Sequence, residues 1–241
     1  MSEVKTLTPL ELVGIGSDFA EVVETAQNVG YRNVGKRNWN LGIDSIRSNP
    51  LKSTIKSIAI KRGWKLEKVQ SHSKISAHAK KKTSSKEITS LWQLITKTGF
   101  GNILLETPNA LNQSSEYKKF QLTIFGLSQP NKPLNNATIG ELQHLLKRLE
   151  VSEIDICIDS TNPLNMEAFK LFGTIDTHYS TTYLHRPQGL PYITKICYYN
   201  KQHKDSLSAP LYRLELTCKT RGKIGTLFVP IDDIKTILQM L

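Results

Sequence analysis

Two adjacent tyrosines followed closely by a lysine are the residues with the clearest potential for chemistry in this sequence. They lie in segment 192–201, whose β-branched and aromatic residues predict a strand. Because side chains alternate across a strand, Tyr199 and Lys201 share one face while Tyr198 points to the other. A tyrosine can accept a phosphoryl group when it is aligned with the phosphorus and a cation offsets the charge. We therefore expect Tyr199 to be a nucleophile for DNA phosphate.

Two further segments, 152–160 and 211–219, show the same alternation between apolar and polar residues. The first carries isoleucines on one side and aspartates on the other, and the second sets Arg213 and Glu215 opposite its leucines. If the three strands lie side by side on a common core, six polar side chains project together from the opposite face. These are Asp155, Asp159, Tyr199, Lys201, Arg213 and Glu215.

This group of six contains the parts that phosphoryl transfer needs. Asp155, Asp159 and Glu215 are candidate ligands of Mg²⁺ or Mn²⁺, which would polarise the scissile phosphate. Lys201 and Arg213 are candidates for supporting the phosphate. A purely structural interpretation also fits. Alternating acids often form a solvated strand face, and a tyrosine in a strand often serves only to pack against its neighbours. The pattern alone leaves both interpretations open.

The charge of the chain indicates a polyanionic partner. The formal net charge is +11, and residues 52–82 contain ten basic residues against the single acid Glu67. Such a block favours contact with a phosphate backbone, although a solvated basic loop would have the same composition. The candidate DNA-binding residues are Lys52, Lys56, Lys61, Arg62, Lys65, Lys80, Lys81 and Lys82, together with Arg186 at the end of a later strand.

Composition narrows the cellular setting. No apolar run approaches the roughly 18 residues of a spanning helix, and no signal-peptide pattern opens the chain. The three cysteines form no CxxC pair, which argues against disulfides and a structural zinc site. We expect a cytoplasmic protein that does not contact a membrane.

From residue 84 the pattern predicts the element order α-β-β-α-β-α-β-β-β-α. Capping-box pairs Ser84/Glu87 and Thr138/Glu141 predict the starts of its first two helices, and Pro230 opens the last. Strands separated by only a few residues must pair antiparallel. The expected fold class is α+β: a mostly antiparallel sheet with helices on one face and an open polar face that carries the active site.

The first 85 residues are expected to be a basic, partly helical region, and 86–241 the catalytic domain. Helices are predicted over 9–29 and 50–63, a loop over 30–42, and a linker over 71–85. Segment 64–70 could complete a helix-turn-helix or a winged helix. No turn signature in the sequence decides between these two motifs.

Four segments resemble motifs of one known family. Segment 153–159, E-I-D-I-C-I-D, is similar to the R-I-D-L-A-L-D strand of the Rep_trans-type rolling-circle replication initiators of plasmids and filamentous phages. Segment 181–185, T-T-Y-L-H, resembles the family's T-L-Y-I-G strand, and 196–201, I-C-Y-Y-N-K, its I-R-I-Y-D/E-K strand. Segment 212–216, Y-R-L-E-L, resembles W-R-x-E-L. The resemblance spans about residues 85–240.

The resemblance implies a nicking-closing enzyme. It would cut one strand at an origin through a phosphodiester link to Tyr199, use a divalent cation, and later rejoin the strand. DNA would be its partner, with a helicase and a second copy of the chain as further candidates. The sequence departs from the family pattern at Glu153, His185 and Asn200.

Two other functions remain open. One is a non-catalytic DNA-binding regulator of replication or transcription on the same scaffold. The other is an RNA-binding module that stacks bases on an exposed sheet, although an aromatic pair on adjacent central strands is not evident.

Overall fold

A sheet of ten strands, all paired antiparallel, organises the chain. The structure, a computed structural model, describes residues 40–69, 88–108, 120–130, 132–224 and 226–241. The strands are β1 (Asn40–Ser48), β2 (Lys65–Lys68), β3 (Ile88–Ile95), β4 (Ile103–Pro108), β5 (Gln121–Phe125), β6 (Val151–Ser160), β7 (Ile175–His178), β8 (Thr181–His185), β9 (Ile193–Asn200) and β10 (Tyr212–Lys219). Their order across the sheet is β2-β3-β4-β5-β1-β6-β10-β9-β8-β7.

Helices cover one face of this sheet. The helices are α1 (Lys52–Arg62), α2 (Asn136–Leu146), α3 (Lys201–Asp205) and α4 (Ile231–Leu238), with a 3₁₀ helix at Glu167–Phe172. Of these, α1, α2 and α4 pack on this face, whereas α3 lies beside Tyr199 on the other. Buried side chains of α1, α2 and α4 join the strand isoleucines and leucines in one core. The α+β class with a mostly antiparallel sheet is therefore confirmed. No helix in the described ranges has the length and hydrophobicity of a membrane span.

Several predicted elements are confirmed. The helix predicted over 50–63 is α1, which ends where Gly63 takes a left-handed conformation (φ 65°) and donates to the carbonyls of Ala59 and Ile60. The helix after Pro230 is α4. The three strands that carry the six polar residues are β6, β9 and β10.

The helix predicted from residue 84 to Gly99 is wrong, because residues 88–95 form strand β3. Leu91 and Leu94 are three residues apart, a spacing that places them on one face of a helix but on opposite faces of a strand. Here Leu94 is buried in the main core, whereas Leu91 packs with Leu104 on the other face. Burial on both faces removes the alternation that would have indicated a strand.

The predicted loop over 30–42 is wrong at its end, since β1 begins at Asn40 and lies between β5 and β6. Segment 64–70 contributes β2 to the same sheet, so it is not part of a DNA-reading helix pair. Over residues 40–69, the basic region shares its sheet with strands β3 to β10 and its core with the helices and strands that follow. The predicted helix 9–29 and linker 71–85 lie outside the described residues.

A β-bulge in β1 changes which side chains reach the polar face. The register against β6 shifts between Ile43 and Ser45, which makes Asp44 the extra residue of the bulge. Ile43 and Ile46 are both buried in the helix-covered core. Asp44 and Ser45 both form hydrogen bonds with residues of the opposite face, and this cannot be inferred from simple alternation.

Candidate functional site

The strands that carry the six polar residues are neighbours in the order β6-β10-β9. Arg213 of β10 lies in register with Asp159 of β6 on one side and with Tyr199 of β9 on the other. Glu215 follows two residues along β10, on the same face. The alignment proposed from the sequence is therefore present in the structure.

Tyr199 and Glu215 form a direct hydrogen bond. The phenol donates to Glu215 Oε1 over 2.6 Å, and the side chains are only 3% and 7% exposed. Burial and the neighbouring Glu215 carboxylate raise the pKa of Tyr199 well above its usual range. The raised pKa disfavours the phenolate, so Tyr199 could act as a nucleophile only with a base such as Glu215 to take its proton.

Arg213 is fully buried and binds Asp159 through two parallel hydrogen bonds. Its Nε and Nη2 donate to the two carboxylate oxygens over 2.6 and 2.7 Å. Nη1 donates to Asp44 Oδ1 over 2.9 Å, and Nη2 also donates to the carbonyl of Ser128. Burial alone would lower the pKa of Arg213, but the hydrogen bonds and charge of Asp159 hold it above its ordinary value. All three guanidinium nitrogens therefore donate to groups of the protein itself.

Asp155 is neutralised by a second arginine, which sequence analysis did not select. Arg47 of β1 donates to both Asp155 oxygens, over 2.9 and 3.2 Å. The hydroxyls of Ser45 and Thr217 donate to the same carboxylate. Arg47 also contacts Glu153 over 3.2 Å, which forms a closed cluster of charges at the β1–β6 ladder.

Lys201 does not continue the strand as predicted. It begins α3, is buried, and pairs with Asp205 over 2.8 Å one turn further on. Asn200 caps this helix by accepting from the His203 backbone N–H over 3.1 Å. The cation beside the phenol is Lys204, whose Nζ lies 3.9 Å from the Tyr199 ring centroid.

The three carboxylates proposed as metal ligands do not fit a divalent cation in this arrangement. Asp155 and Asp159 each face an arginine fork, and Glu215 accepts from the phenol. Among the residues that the structure describes, no three His, Cys, Asp or Glu side chains converge as ligands. A cation would have to displace the guanidinium groups.

The polar face is not open at these residues, contrary to expectation. All six proposed side chains are buried, including those of Asp155, Asp159 and Lys201. Mutual pairing of acids with cations and hydroxyls makes this burial feasible, since buried charges are retained when they are paired and hydrogen-bonded.

The proposed DNA-binding residues lie mostly at the surface. Lys56, Lys61, Arg62 and Lys65 are exposed on α1 and β2, and Arg186 is exposed after β8. Lys52 instead lies near the rings of Trp92 and Phe120, 5.9 and 6.0 Å from their centroids. Lys80, Lys81 and Lys82 lie outside the described residues.

A basic cluster, of which sequence analysis selected only Arg62, joins the ends of two helices. Arg62 at the end of α1 contacts His144 in the last turn of α2. The pKa of His144 is lowered by desolvation and by the charges of Arg62, Arg148 and Lys147. Lys147 and Arg148 directly follow α2 in the sequence, and this adjacent basic pair was the available signal. We call Arg62, Lys147 and Arg148 the helix-end cluster.

Comparisons with known proteins give a structural likeness. No family model matches the chain, and no curated protein matches it. Among solved structures, it is similar to a rolling circle replication initiator protein from Geobacillus stearothermophilus, with 8% sequence identity and a TM-score of 0.43. The similarity covers 84% of this chain and 79% of that one. A likeness of this extent carries no argument about function.

Proposed function

We propose that this protein binds DNA in the initiation of replication, and that in the conformation described here it binds without cutting. The observation that carries the proposal is the distribution of charge between interior and surface. The buried acids are Asp44, Glu106, Asp155, Asp159 and Glu215. The cations buried in the described residues are Arg47, Lys201 and Arg213 only, so within these residues burial removes more acids than cations from the surface.

The replication context is supported by the chain's own motifs. The four segments that resemble rolling-circle initiators occupy four consecutive strands, β6, β10, β9 and β8. The acids, the arginine and the tyrosine of these segments lie on one sheet face. Each of them is hydrogen-bonded to other groups of the protein, which favours a binding role on this scaffold.

The helix-end cluster is the surface we assign to phosphate contact. Arg62, Lys147 and Arg148 are exposed, and they come from helices whose apolar sides are fixed in the core. No carboxylate of the described residues forms an ion pair with any of the three. Rigidly placed cations without acidic partners suit a sequence-independent contact with the backbone.

Fluorescence anisotropy with a labelled DNA duplex at several salt concentrations tests this assignment. Wild-type affinity should fall steeply with salt. Replacing Arg62, Lys147 and Arg148 with Ala should reduce the slope of log K against log salt by about one for each cation that binds a phosphate. Lys170→Ala is the control, because Lys170 is an exposed cation that pairs with Glu167. Unchanged affinity and slope in the folded triple variant would refute the assignment.

Strand nicking is the second candidate, and the Tyr199–Glu215 hydrogen bond favours it. In such a step the phenol oxygen would bond to phosphorus and the bond from phosphorus to the 3′-oxygen would break. The phenol proton would pass to Glu215, and the 3′-oxygen would take a proton from solvent. The buried Tyr199 would first have to become accessible.

A covalent-adduct assay separates the two candidates. Labelled single-stranded oligonucleotides covering the DNA around the protein's own gene are incubated with the protein and Mg²⁺ or Mn²⁺, then resolved under denaturing conditions. No covalent adduct is expected. An adduct that disappears in Tyr199→Phe would establish nicking, and one that persists would place the linkage at another residue.

A further inference from the structure

The hairpin of β7 and β8 presents flat rings at the edge of the sheet. Tyr183 and His185 are nearly parallel, with ring centroids 6.0 Å apart and planes 11° apart. His178 and Tyr179 form a second such pair at 5.7 Å and 19°. His178 and His185 are exposed, and Tyr179 is 100% exposed. Ring faces open to water can stack with nucleobases.

Two adjacent depressions flank His185. One, of about 530 Å³, is lined by Asp176, Thr177, His178, Tyr183 and His185. The other, of about 430 Å³, includes Arg186 and Lys219 in its wall together with His185. The first therefore offers ring faces, and the second offers cations. Neighbouring sites of these two kinds match the base and the phosphate of a nucleotide.

The charges around the hairpin suit a nucleic acid. Lys195 of β9 lies in register with His185, which adds a third cation to Arg186 and Lys219. Asp176 is the carboxylate of the ring-lined depression. A carboxylate there disfavours a phosphate but can accept a hydrogen bond from an exocyclic amino group of a base. The depression thus fits a base better than a phosphate.

The backbone at Tyr179 is unfavourable for a tyrosine. Its φ of 54° lies in the left-handed region, where glycine and asparagine are tolerated best. The ring is fully exposed, so no burial in the core offsets this conformation. Arg186, which directly follows the C-terminal end of β8, has a φ of 49°. Such outliers concentrate at ligand-contacting positions.

We infer that this hairpin, through Tyr179, Tyr183 and His185, is a stacking platform for single-stranded DNA. The inference rests on the proposed DNA-binding function and specifies the strand state that the sheet edge recognises. Bases of a duplex stack on each other and do not offer their faces, so the rings select unpaired nucleotides. A duplex would instead contact the helix-end cluster.

The test compares a labelled 20-nucleotide single strand, a duplex of the same sequence and the matching RNA by anisotropy. Tyr179→Asn combined with Tyr183→Leu should weaken single-strand binding about tenfold or more and leave duplex binding unchanged. Tyr179→Phe keeps the ring and should bind like the wild type. Asn tolerates the left-handed conformation at position 179, so we expect the double variant to fold. Thermal melting checks this.

The outcomes keep the two proposals distinct. Wild-type binding to duplex but not to single strands would overturn the platform and leave the DNA-binding function standing. Absence of binding to either DNA would refute the function itself. Equal losses on both DNAs in the double variant, or unchanged single-strand affinity, would also overturn the platform. Tighter binding of the RNA than of the DNA strand would overturn the assignment to DNA.

Discussion

Tyr199 and Glu215 are joined by a 2.6 Å hydrogen bond that runs diagonally between the adjacent strands β9 and β10. Both side chains are buried, and the phenol is the donor. The contact therefore ties two central strands together at the sheet face opposite α1, α2 and α4. It also satisfies a carboxylate that would otherwise lose hydration without compensation.

Tyr199→Phe should lower the free energy of unfolding by about 1–3 kcal/mol, because it leaves a buried Glu215 oxygen without its donor. Urea denaturation measures this. Tyr198→Phe is the control: its hydroxyl accepts from the Leu164 N–H at a half-buried position, so a smaller loss is expected. Equal stability of Tyr199→Phe and the wild type would mean that the buried contact contributes nothing.

Arg213→Met should be far more damaging, since it removes the cation that contacts both Asp44 and Asp159. The expected loss is about 3–5 kcal/mol, or failure to fold. Lys170→Ala breaks an exposed pair with Glu167 and should change stability by less than about 1 kcal/mol. Chemical denaturation and soluble yield compare the two.

A compensating substitution tests the Arg213 prediction even if Arg213→Met fails to fold. Adding Asp159→Asn to Arg213→Met removes one of the stranded buried charges and should recover part of the stability or solubility. If the double variant is no better than Arg213→Met alone, the charge of Asp159 is not the source of the damage.

Alkaline pH should destabilise the protein through Cys157. Burial raises the pKa of its thiol from 9.0 to about 12, despite the opposing charge of Arg213. The unfolded chain ionises first, so this contribution is complete below pH 9 and is lost as the pH rises toward 12, at about 1.4 kcal/mol per pH unit. Cys157→Ala should flatten the fall of unfolding free energy across this range. Rapid reaction of this thiol with Ellman's reagent in mildly alkaline buffer would contradict the prediction.

Glu141→Ala should loosen the turn that follows β3. The carboxylate accepts from the Lys97 and Thr98 N–H groups and from the Thr98 hydroxyl, at 3.0, 3.2 and 2.6 Å. Desolvation opposes these hydrogen bonds, but together they lower the pKa of Glu141 below its usual 4.5. We expect about 1–3 kcal/mol of lost stability at neutral pH.

The same substitution has a pH signature. Because the folded-state pKa of Glu141 is depressed, its contribution is present above pH 4.5 and is lost as the pH falls through the folded-state pKa. The stability difference between wild type and Glu141→Ala should therefore shrink in acid. A difference that stays constant from neutral to strongly acidic pH would show that the effect is not electrostatic.

The strands at the centre of the sheet could be predicted because only one face of each packs against apolar residues, which gives a regular alternation of apolar and polar side chains. In β6, Ile154, Ile156 and Ile158 enter the core, and the acids between them face the other way. In β3, apolar residues enter both faces, so their spacing imitated a helix. The bulge at Asp44 concealed β1 in a different way, by breaking the alternation within the strand.

Burial of the polar face could not be predicted from these strands. The pairing that permits it comes from distant positions, such as Arg47 and Asp155, which are 108 residues apart. A charged strand face looks solvated until its partners are known. The three strands were thus correctly predicted to be neighbours, whereas the exposure of their polar residues and the position of Lys201 in α3 were not predicted correctly.

The two outer strands of the sheet, β2 and β7, limit how the protein can assemble. Each has four residues, and most of their side chains are exposed and polar, with lysines at both ends of β2. Short, charged borders resist the addition of a foreign strand and so protect against fibrillar aggregation. A protein that associates with this one would therefore have to recognise side chains on its surfaces, because the outer strands are poor sites for backbone pairing with another strand.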